Sequence, residues 1–560
     1  MAEKLSILLA QTNPIVGNIE YNRDLVLDTI DKNKSADLIV FSELVLSGYP
    51  PEDLVLKSAF QNKVCEAFHE IMDASVHSNS YIVIGRPWKE NEQLYNAAIV
   101  LYKGKVFHRH LKNALPNYGV FDEKRIFAAG NENSFFEIKG NKIGLFICEE
   151  IWDSDTYSRI EGEYCDLVIT VNASPYEQQK IKKREDLAML LSQKIDAPVV
   201  YVNQVGGQDE IVFDGSSFIA DASNILRKLP ACESITDLVY FDKATKEFSF
   251  DDRNFNEKSP EEILYSNLVL GLRDYVEKNN FPGVVIGISG GIDSAFSACV
   301  AVDALGSDKV KGIMMPSKYT SNASVEDATL LGKNLNIEMI SLSIEEAALA
   351  YESTLKNVFE GTEQDITEEN IQSRIRGMLL MAYSNKFGYM VMTNGNKSEV
   401  SVGYSTLYGD MCGGFSVIKD LYKVDVYKLA EWRNDNYPSI SLHKKDNVVP
   451  VNIITKAPTA ELKPNQKDED SLPPYEILDK ILYELVEKES SVTDIVNLGF
   501  NEDTVIKVQG LLYNSEYKRR QSAPGVKVSE PNGAFYCVAQ LPIKNAEDFA
   551  KWLLERYHLN

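Results

Sequence analysis

Three residues in the first half of the chain would suffice for nucleophilic chemistry on an acyl group. Glu43 (in FSELVLSGYPPED), Lys112 (in HRHLKNALPNYGVFDEKR) and Cys148 (in LFICEEIWD) each stand just past an apolar run that reads as a strand. Side chains at strand C-termini in α/β units gather at one edge of a sheet, where reactive groups collect. A cysteine forms an acyl enzyme when a neighbouring cation lowers its pKa and a base takes its proton. Glu43 offers the base, and Lys112 a cation to steady a tetrahedral oxyanion. Taken singly, each has a plainer reading, the cysteine as a small core residue and the two charges as surface or salt-bridge groups. The six histidines form no convincing Ser-His-Asp arrangement. His108 and His110, at strand spacing without further ligands, read as exposed side chains and not as a metal pair.

A second constellation lies in the other half. Gly287-Ile-Ser-Gly-Gly-Ile-Asp-Ser294 falls between a strand and a helix. Paired glycines let backbone N–H groups approach phosphate oxygens, and the helix N-terminus adds positive dipole. Ser289 and Ser294 contribute hydroxyl donors, and Asp293 can hold a magnesium ion. The loop lacks Gly-Lys-Ser/Thr and GxGxxG, so neither a Walker A loop nor a dinucleotide dehydrogenase is indicated. An ordinary glycine turn is the bland alternative, and the flanking serines and aspartate weigh against it.

The elements that must position these groups follow from short apolar runs. Leu5–Ala10, Ala36–Phe41, Tyr81–Gly85, Ala97–Tyr102, Lys142–Ile147, Asp166–Val171 and Pro198–Val202 read as buried strands. Helical periodicity falls between them at Tyr21–Asn33, Gln61–Ser78 and Ile181–Ile195. Around Phe241–Pro260 the apolar runs stop, and Ser259-Pro260-Glu261-Glu262 reads as an N-cap and first turn. A second α/β unit then begins, with strands at Val284–Ile288, Lys311–Met315 and Tyr389–Met392 and helices at Ser294–Leu305 and Val325–Leu335. Its default is a doubly wound parallel sheet. The expected boundaries are a first domain over 1–245, a linker over 246–262 and a second domain over 263–560. Thr455–Tyr475 is Pro-rich, charged and too long for an ordinary connection, which marks it as mobile or functional.

Composition narrows the partners. The chain has 560 residues, 44% of them hydrophobic and 25% charged, which is globular usage. With 58 Lys and Arg against 82 Asp and Glu, the net charge is −24, which speaks against nucleic-acid or anionic-membrane binding. No apolar run approaches the ~20 residues of a membrane span, and the N-terminal stretch is too short for a signal peptide. The seven cysteines (Cys65, Cys148, Cys165, Cys232, Cys299, Cys412, Cys537) never show CxxC spacing, which fits free thiols in a reducing cytoplasm without zinc.

Beyond the loop, Glu368-Glu-Asn-Ile-Gln-Ser-Arg-Ile-Arg-Gly377, Thr393-Asn-Gly-Asn-Lys-Ser-Glu399, Tyr408-Gly-Asp-Met-Cys-Gly-Gly-Phe415, Lys419-Asp-Leu-Tyr-Lys423 and Tyr517-Lys-Arg-Arg-Gln521 follow in order. Together with SGGIDS, which resembles the ATP pyrophosphatase loop, this set resembles the NAD synthetases over nearly all of residues 260–560. The Glu43, Lys112, Cys148 set, with Asn172-Ala-Ser-Pro175 as a further marker, resembles the nitrilase superfamily over roughly residues 4–230. The fused pair resembles the glutamine-dependent branch of the NAD synthetase family.

That resemblance implies a nitrilase-like αββα sandwich followed by a Rossmann-like ATP pyrophosphatase domain. It implies Glu43 as base, Lys112 as oxyanion stabiliser and Cys148 as nucleophile. Tyr118, Glu149, Ser174 and Lys180 would serve the glutamine pocket, Lys180 standing where some relatives carry Arg. Ser289, Gly290, Gly291, Ile292, Asp293, Ser294, Asn394 and Lys423 would bind ATP. Asn370, Arg374, Glu399 and Lys518 would contact deamido-NAD, and Asp293 and Glu399 would hold Mg2+. The local cations for two polyphosphates would be Lys397, Lys423 and Lys518–Arg520. No zinc, haem or flavin is expected, and a homo-oligomer is. The implied activity is ATP-dependent amidation of deamido-NAD with glutamine-derived ammonia channelled between sites. Alternatives are an amidotransferase adenylating another acid, since SGGxDS also occurs in GMP and asparagine synthetases, an amidase with a vestigial ATP domain, and a non-catalytic nucleotide-sensing scaffold.

Overall fold

The structure, a computed structural model, describes residues 4–464 and 466–529. Cys537 and the end of the expected second domain lie outside the described residues.

Alternation along the strands builds the first unit as four layers. In Leu5–Gln11, Leu5, Ile7 and Leu9 join Leu145, Ile147 and Val200 in a core between two sheets. Leu8 and Ala10 point the other way, into a second core with helices Ile19–Lys32 and Ser58–Ser75. The opposite outer layer is helix Lys180–Ile195, whose Ala188, Leu191 and Ile195 pack on Val168 and Tyr201. The first sheet has seven strands with Leu5–Gln11, Leu38–Val40 and Tyr81–Glu90 parallel at its centre, in the register Ile7↔Leu38↔Tyr81. The second has six, with Asn141–Ile147, Leu167–Asn172 and Val199–Asn203 parallel at its centre. Parallel pairing brings the residues after these strands to common edges, Glu43 to one and Cys148 and Ala173 to the other.

The second unit holds five parallel strands in the order Glu338–Ser341, Val310–Met314, Val284–Gly287, Met390–Thr393, Phe415–Ser416. Val284 and Ile286 face helices Pro260–Lys278, Ile292–Leu305 and Asn322–Leu335, while Val285 faces helix Ile366–Phe387. That is the doubly wound arrangement.

The linker expected over 246–262 is shorter. Glu247–Phe250 forms an edge strand on Ile235–Asp242, because Phe248 and Phe250 still find apolar partners in the first core. Only 251–259 runs without regular structure, and Ser259 caps the next helix through Glu262 N at 3.1 Å. A hairpin, Val205–Gln208 with Ile211–Asp214, leaves the first unit and packs Val205 and Val212 on helix Pro260–Lys278. Asp274 of that helix accepts from Asn13 Nδ2 (2.8 Å) and Gly207 N (2.7 Å). The segment 524–529 is shared by both units: Gln178 N donates to Val528 O, and Ser416 N to Pro524 O. No helix among the described residues is long and apolar enough to cross a membrane.

Candidate active sites

At the first site the sheets bring Glu43, Lys112 and Cys148 together in the interior. Cys148 is the first residue after strand Asn141–Ile147 and sits at φ 42°, a left-handed geometry rarely taken by non-glycine residues. Glu150 holds this turn, accepting from Ile147 N at 2.6 Å, Asn113 N at 2.8 Å and His110 Nε2 at 2.8 Å. His110 is therefore buried, against the expectation of an exposed side chain, and His108 is half-buried on Ser134 Oγ. The Glu43 loop is tightly seated: a Cβ at Gly85 would fall 2.2 Å from Leu44 N, so only glycine lets the neighbouring strand pass.

Lys112 Nζ donates to Glu43 Oε1 at 2.6 Å and to Glu123 Oε1 at 2.7 Å. Glu43 and Lys112 are completely buried. Glu43 also accepts from Asn96 Nδ2 (2.7 Å) and Ala173 N (3.0 Å), and Glu123 from Tyr49 Oη (2.8 Å). Burial pushes the Lys112 ammonium towards the neutral form, but Glu123 and Glu43 outweigh it and raise its pKa. An ammonium has three N–H groups, so one remains beyond the two carboxylates. Glu123 is raised by burial despite Lys112.

Cys148 departs from the expected activation by a cation. Burial and then Glu43 push its thiol well above the usual range, and Lys112 only partly opposes them. These surroundings favour the thiol over the thiolate. Glu123 and Asn96 were missed in the sequence; nothing in the spacing of FDEKR marks Glu123 as the second carboxylate around Lys112.

Tyr118 is half exposed and donates to Glu149 Oε2 at 2.9 Å, while burial raises the Glu149 carboxyl. Ser174 is buried with its N–H on Asn203 Oδ1 at 2.9 Å. Lys180 pairs with Glu177 at 2.5 Å, which occupies the charge expected for a substrate carboxylate.

The second site is a cleft of about 400 Å³ above the parallel sheet. Ser289, Gly291, Ile292, Asp293, Ser294, Asn370, Asn394, Glu399, Lys423 and Lys518 line it. Gly290 shapes the loop from behind, at φ 81° with a Cβ position 2.3 Å from Ser324 O. Ser289 Oγ takes Gly291 N at 3.1 Å, and Asn394 Nδ2 donates to Gly287 O at 2.9 Å. Asn394 Oδ1 is buried without a hydrogen bond among the described residues. Lys423 Nζ bridges Asp293 and Glu399, at 2.8 Å from the latter, and lies 5.1 Å from the Tyr475 ring centre. Burial drives the Glu399 carboxyl up to about 7, with Lys423 opposing and Asp293 adding to the rise. Two carboxylates beside a cleft are the hard oxygen donors with which magnesium is held alongside substrate phosphates.

Several expected cations turn elsewhere. Lys397 is buried on Asp420 (2.7 Å), Arg519 donates to the carbonyls of Ser401 and Leu512, and Arg520 pairs with Glu516. Lys518 reaches the cleft but spends two N–H groups on Gly403 O and Ser405 O, each at 2.7 Å. Arg374 is exposed on Leu407 O outside the cleft lining, and Arg376 lines it instead. Lys456, Glu461, Gln466 and Asp468 also line it, so part of the 455–475 stretch borders the cleft; Asn465 lies outside the described residues. Cys412 is another lining residue, so not every cysteine besides Cys148 serves packing alone.

A carbon-nitrogen hydrolase family model matches residues 7–230 and an NAD synthase model residues 264–522. The chain is 41% identical to the glutamine-dependent NAD(+) synthetase of Thermotoga maritima, with 97% of this chain aligned to 99% of that one. The same-named protein of Acinetobacter baylyi is also 41% identical, over the same shares of the two chains. Among solved structures, the glutamine-dependent NAD+ synthetase of Acinetobacter baumannii in complex with ADP matches at TM-score 0.77 and 39% identity, covering 96% of this chain and 97% of its own.

Proposed function

The chain belongs to the glutamine-dependent NAD(+) synthetases, and from that premise we propose how its residues divide the work. The enzyme amidates deamido-NAD to NAD with ATP, drawing the nitrogen from glutamine. In our reading the Cys148 thiol attacks the glutamine carboxamide while Glu43 takes its proton. The third N–H of Lys112 faces the developing oxyanion, and Glu123 keeps the ammonium charged and in place. Ammonia leaves, and water activated by Glu43 releases glutamate from the thioester. Tyr118, Glu149 and Ser174 line the glutamine side. Lys180 acts there through Glu177, as a positioning charge.

In the cleft, the 289–294 loop, Asn394 and Lys423 hold ATP, and Asn370 and Lys518 hold deamido-NAD. The nicotinate carboxylate attacks the α-phosphate, pyrophosphate leaves, and ammonia then displaces AMP. Asp293 and Glu399 would hold Mg2+, which neutralises phosphate charge when bound. A narrow cavity of about 20 Å³ adjoins the cleft and is lined by Thr393, Gly395, Glu399, Ser416, Lys419 and Ala523. Lys419 and the 524–529 segment also touch the first unit, which supports this cavity as the receiving end of the ammonia path. We infer at least a homodimer, supported by the exposed Ile366, Met378 and Phe387 on one helix, and a cytoplasmic setting, supported by the free thiols.

The observation that carries the reading is the buried Lys112 held between Glu43 and Glu123 beside the Cys148 turn. Its test is Cys148→Ala, which should abolish NAD formation from glutamine yet leave formation from ammonium salts. Loss of both in a folded variant would overturn the division of labour.

A further inference from the structure

The synthetase cleft contains a cation that forms no ion pair among the described residues. Arg374 and Arg376 are two positions apart on helix Ile366–Phe387, and at ~3.6 residues per turn they leave nearly opposite faces. Arg374 goes to solvent. Arg376 goes to the cleft, where its Nε donates to Met315 O at 3.1 Å. Among the described residues its guanidinium makes no other hydrogen bond and no ion pair.

The nearby carboxylates are committed elsewhere. Glu461 Oε1 accepts from Ser321 Oγ at 2.8 Å and Ser324 Oγ at 2.9 Å. Asp410 Oδ1 accepts from Thr406 N at 2.6 Å and Ser373 Oγ at 3.3 Å. Burial pulls the guanidinium down to about 10, which these two acids only partly offset. An Arg with one nitrogen fixed on a carbonyl presents its remaining N–H fork in a set direction, the arrangement that suits a bidentate phosphate. Met315 lies beside the phosphate loop, its Cε 3.2 Å from a Cβ position on Gly287. Leaving such a group unanswered in a partly dry site is costly, and a bound anion removes that cost.

We propose that Arg376 is an anion-binding residue of the cleft, forking a phosphate group of one of its two polyphosphate substrates. This rests on the reading that ATP and deamido-NAD bind there. Lys456 does not duplicate it, because its Nζ is held by Asp327 at 2.9 Å.

The test uses the full-length enzyme with Arg376→Met and Arg376→Lys. Ammonia-dependent synthesis is measured while ATP and deamido-NAD are varied in turn, and melting is followed with Mg-ATP, deamido-NAD or inorganic pyrophosphate. The methionine variant should raise KM for one of the two substrates by about ten- to a hundredfold. It should lose the thermal shift given by that same ligand, and without ligand should melt no lower than wild type. The substrate affected identifies the phosphate. Arg376→Lys should recover little, because an ammonium lacks the planar fork that lets Nε hold Met315 O while the two terminal nitrogens face a phosphate. Both KM values within about twofold of wild type in either folded variant would overturn the proposal. So would a lowered ligand-free melting point with unchanged KM, the signature of a structural staple. A wild type that no polyphosphate stabilises would remove the cleft reading and this assignment together.

Discussion

The two sites solve opposite electrostatic problems. Around Cys148 the cation is answered inside the protein: Lys112 lies between Glu43 and Glu123, and solvent reaches neither Lys112 nor Glu43. In the proposed reaction the group attacked there is a neutral carboxamide, so the machinery can be assembled in advance without a ligand to balance it. The cleft above the SGGIDS loop is different. Asp293 and Glu399 share Lys423, their side chains remain 18% and 17% exposed, and Arg376 has no ion-pair partner among the described residues. In the proposed reading such a site is completed by what binds, because two polyanions and a divalent ion would bring more charge than a cleft can store unpaired. The difference explains how a chain of net charge −24 handles polyphosphates: the overall excess of acid says little about a pocket where a few cations are fixed.

That contrast can be broken at either end. Glu43→Gln should have the largest effect, lowering glutamine-dependent NAD formation by about 10²–10⁴-fold while the ammonia-dependent rate holds. Equal losses in the two assays would mean that the preassembled site serves both reactions. Asp293→Ala should cut pyrophosphate release by about 10²–10³-fold and leave glutamine hydrolysis measurable. A normal pyrophosphate burst in that variant would show that the cleft does not depend on its carboxylates. Stability sharpens the comparison further. Lys112→Met strands two buried carboxylates and should cost about 3–5 kcal/mol in urea unfolding. Lys423→Met should cost clearly less, since water reaches both of its partners; equal losses would erase the distinction between a sealed site and an open one.

The smallest effect lies between the regions. Burial pushes the Glu210 carboxyl up, but Lys419 (3.1 Å) and Lys527 (2.9 Å) hold it below the ordinary value. A depressed carboxyl stabilises above its unfolded pKa and loses that contribution as pH falls through the folded value. Glu210→Gln should therefore shift unfolding by only about 0–1 kcal/mol near neutrality. Its difference from wild type should vanish in acid below the ordinary carboxylate range. A difference that persisted there would assign Glu210 a role other than this ion pair.

Much of this was legible in the chain itself. Apolar runs ending before Glu43 and Cys148 announced strands, and the glycine pair of SGGIDS announced a turn between strand and helix, because both depend on local sequence and chain geometry. Helix starts such as Ser259-Pro260 were equally local. Edge strands such as Glu247–Phe250 were not, since their apolar content is slight and their pairing is decided by a neighbour far away in the chain. The same limit hid Glu123, whose part in the first site exists only because folding brings it to Lys112. Charge misled for a related reason. Lys397, Arg519 and Arg520 look like phosphate ligands in a list of residues, but burial among acids and carbonyls turns Lys397 and Arg519 inward, and the exposed Arg520 pairs with Glu516. Residue types and their order determined which two chemistries the chain carries. The tertiary structure alone decided which charges are paired, which face the cleft, and that burial raises the Cys148 thiol, because each depends on what burial and distant partners do to a group.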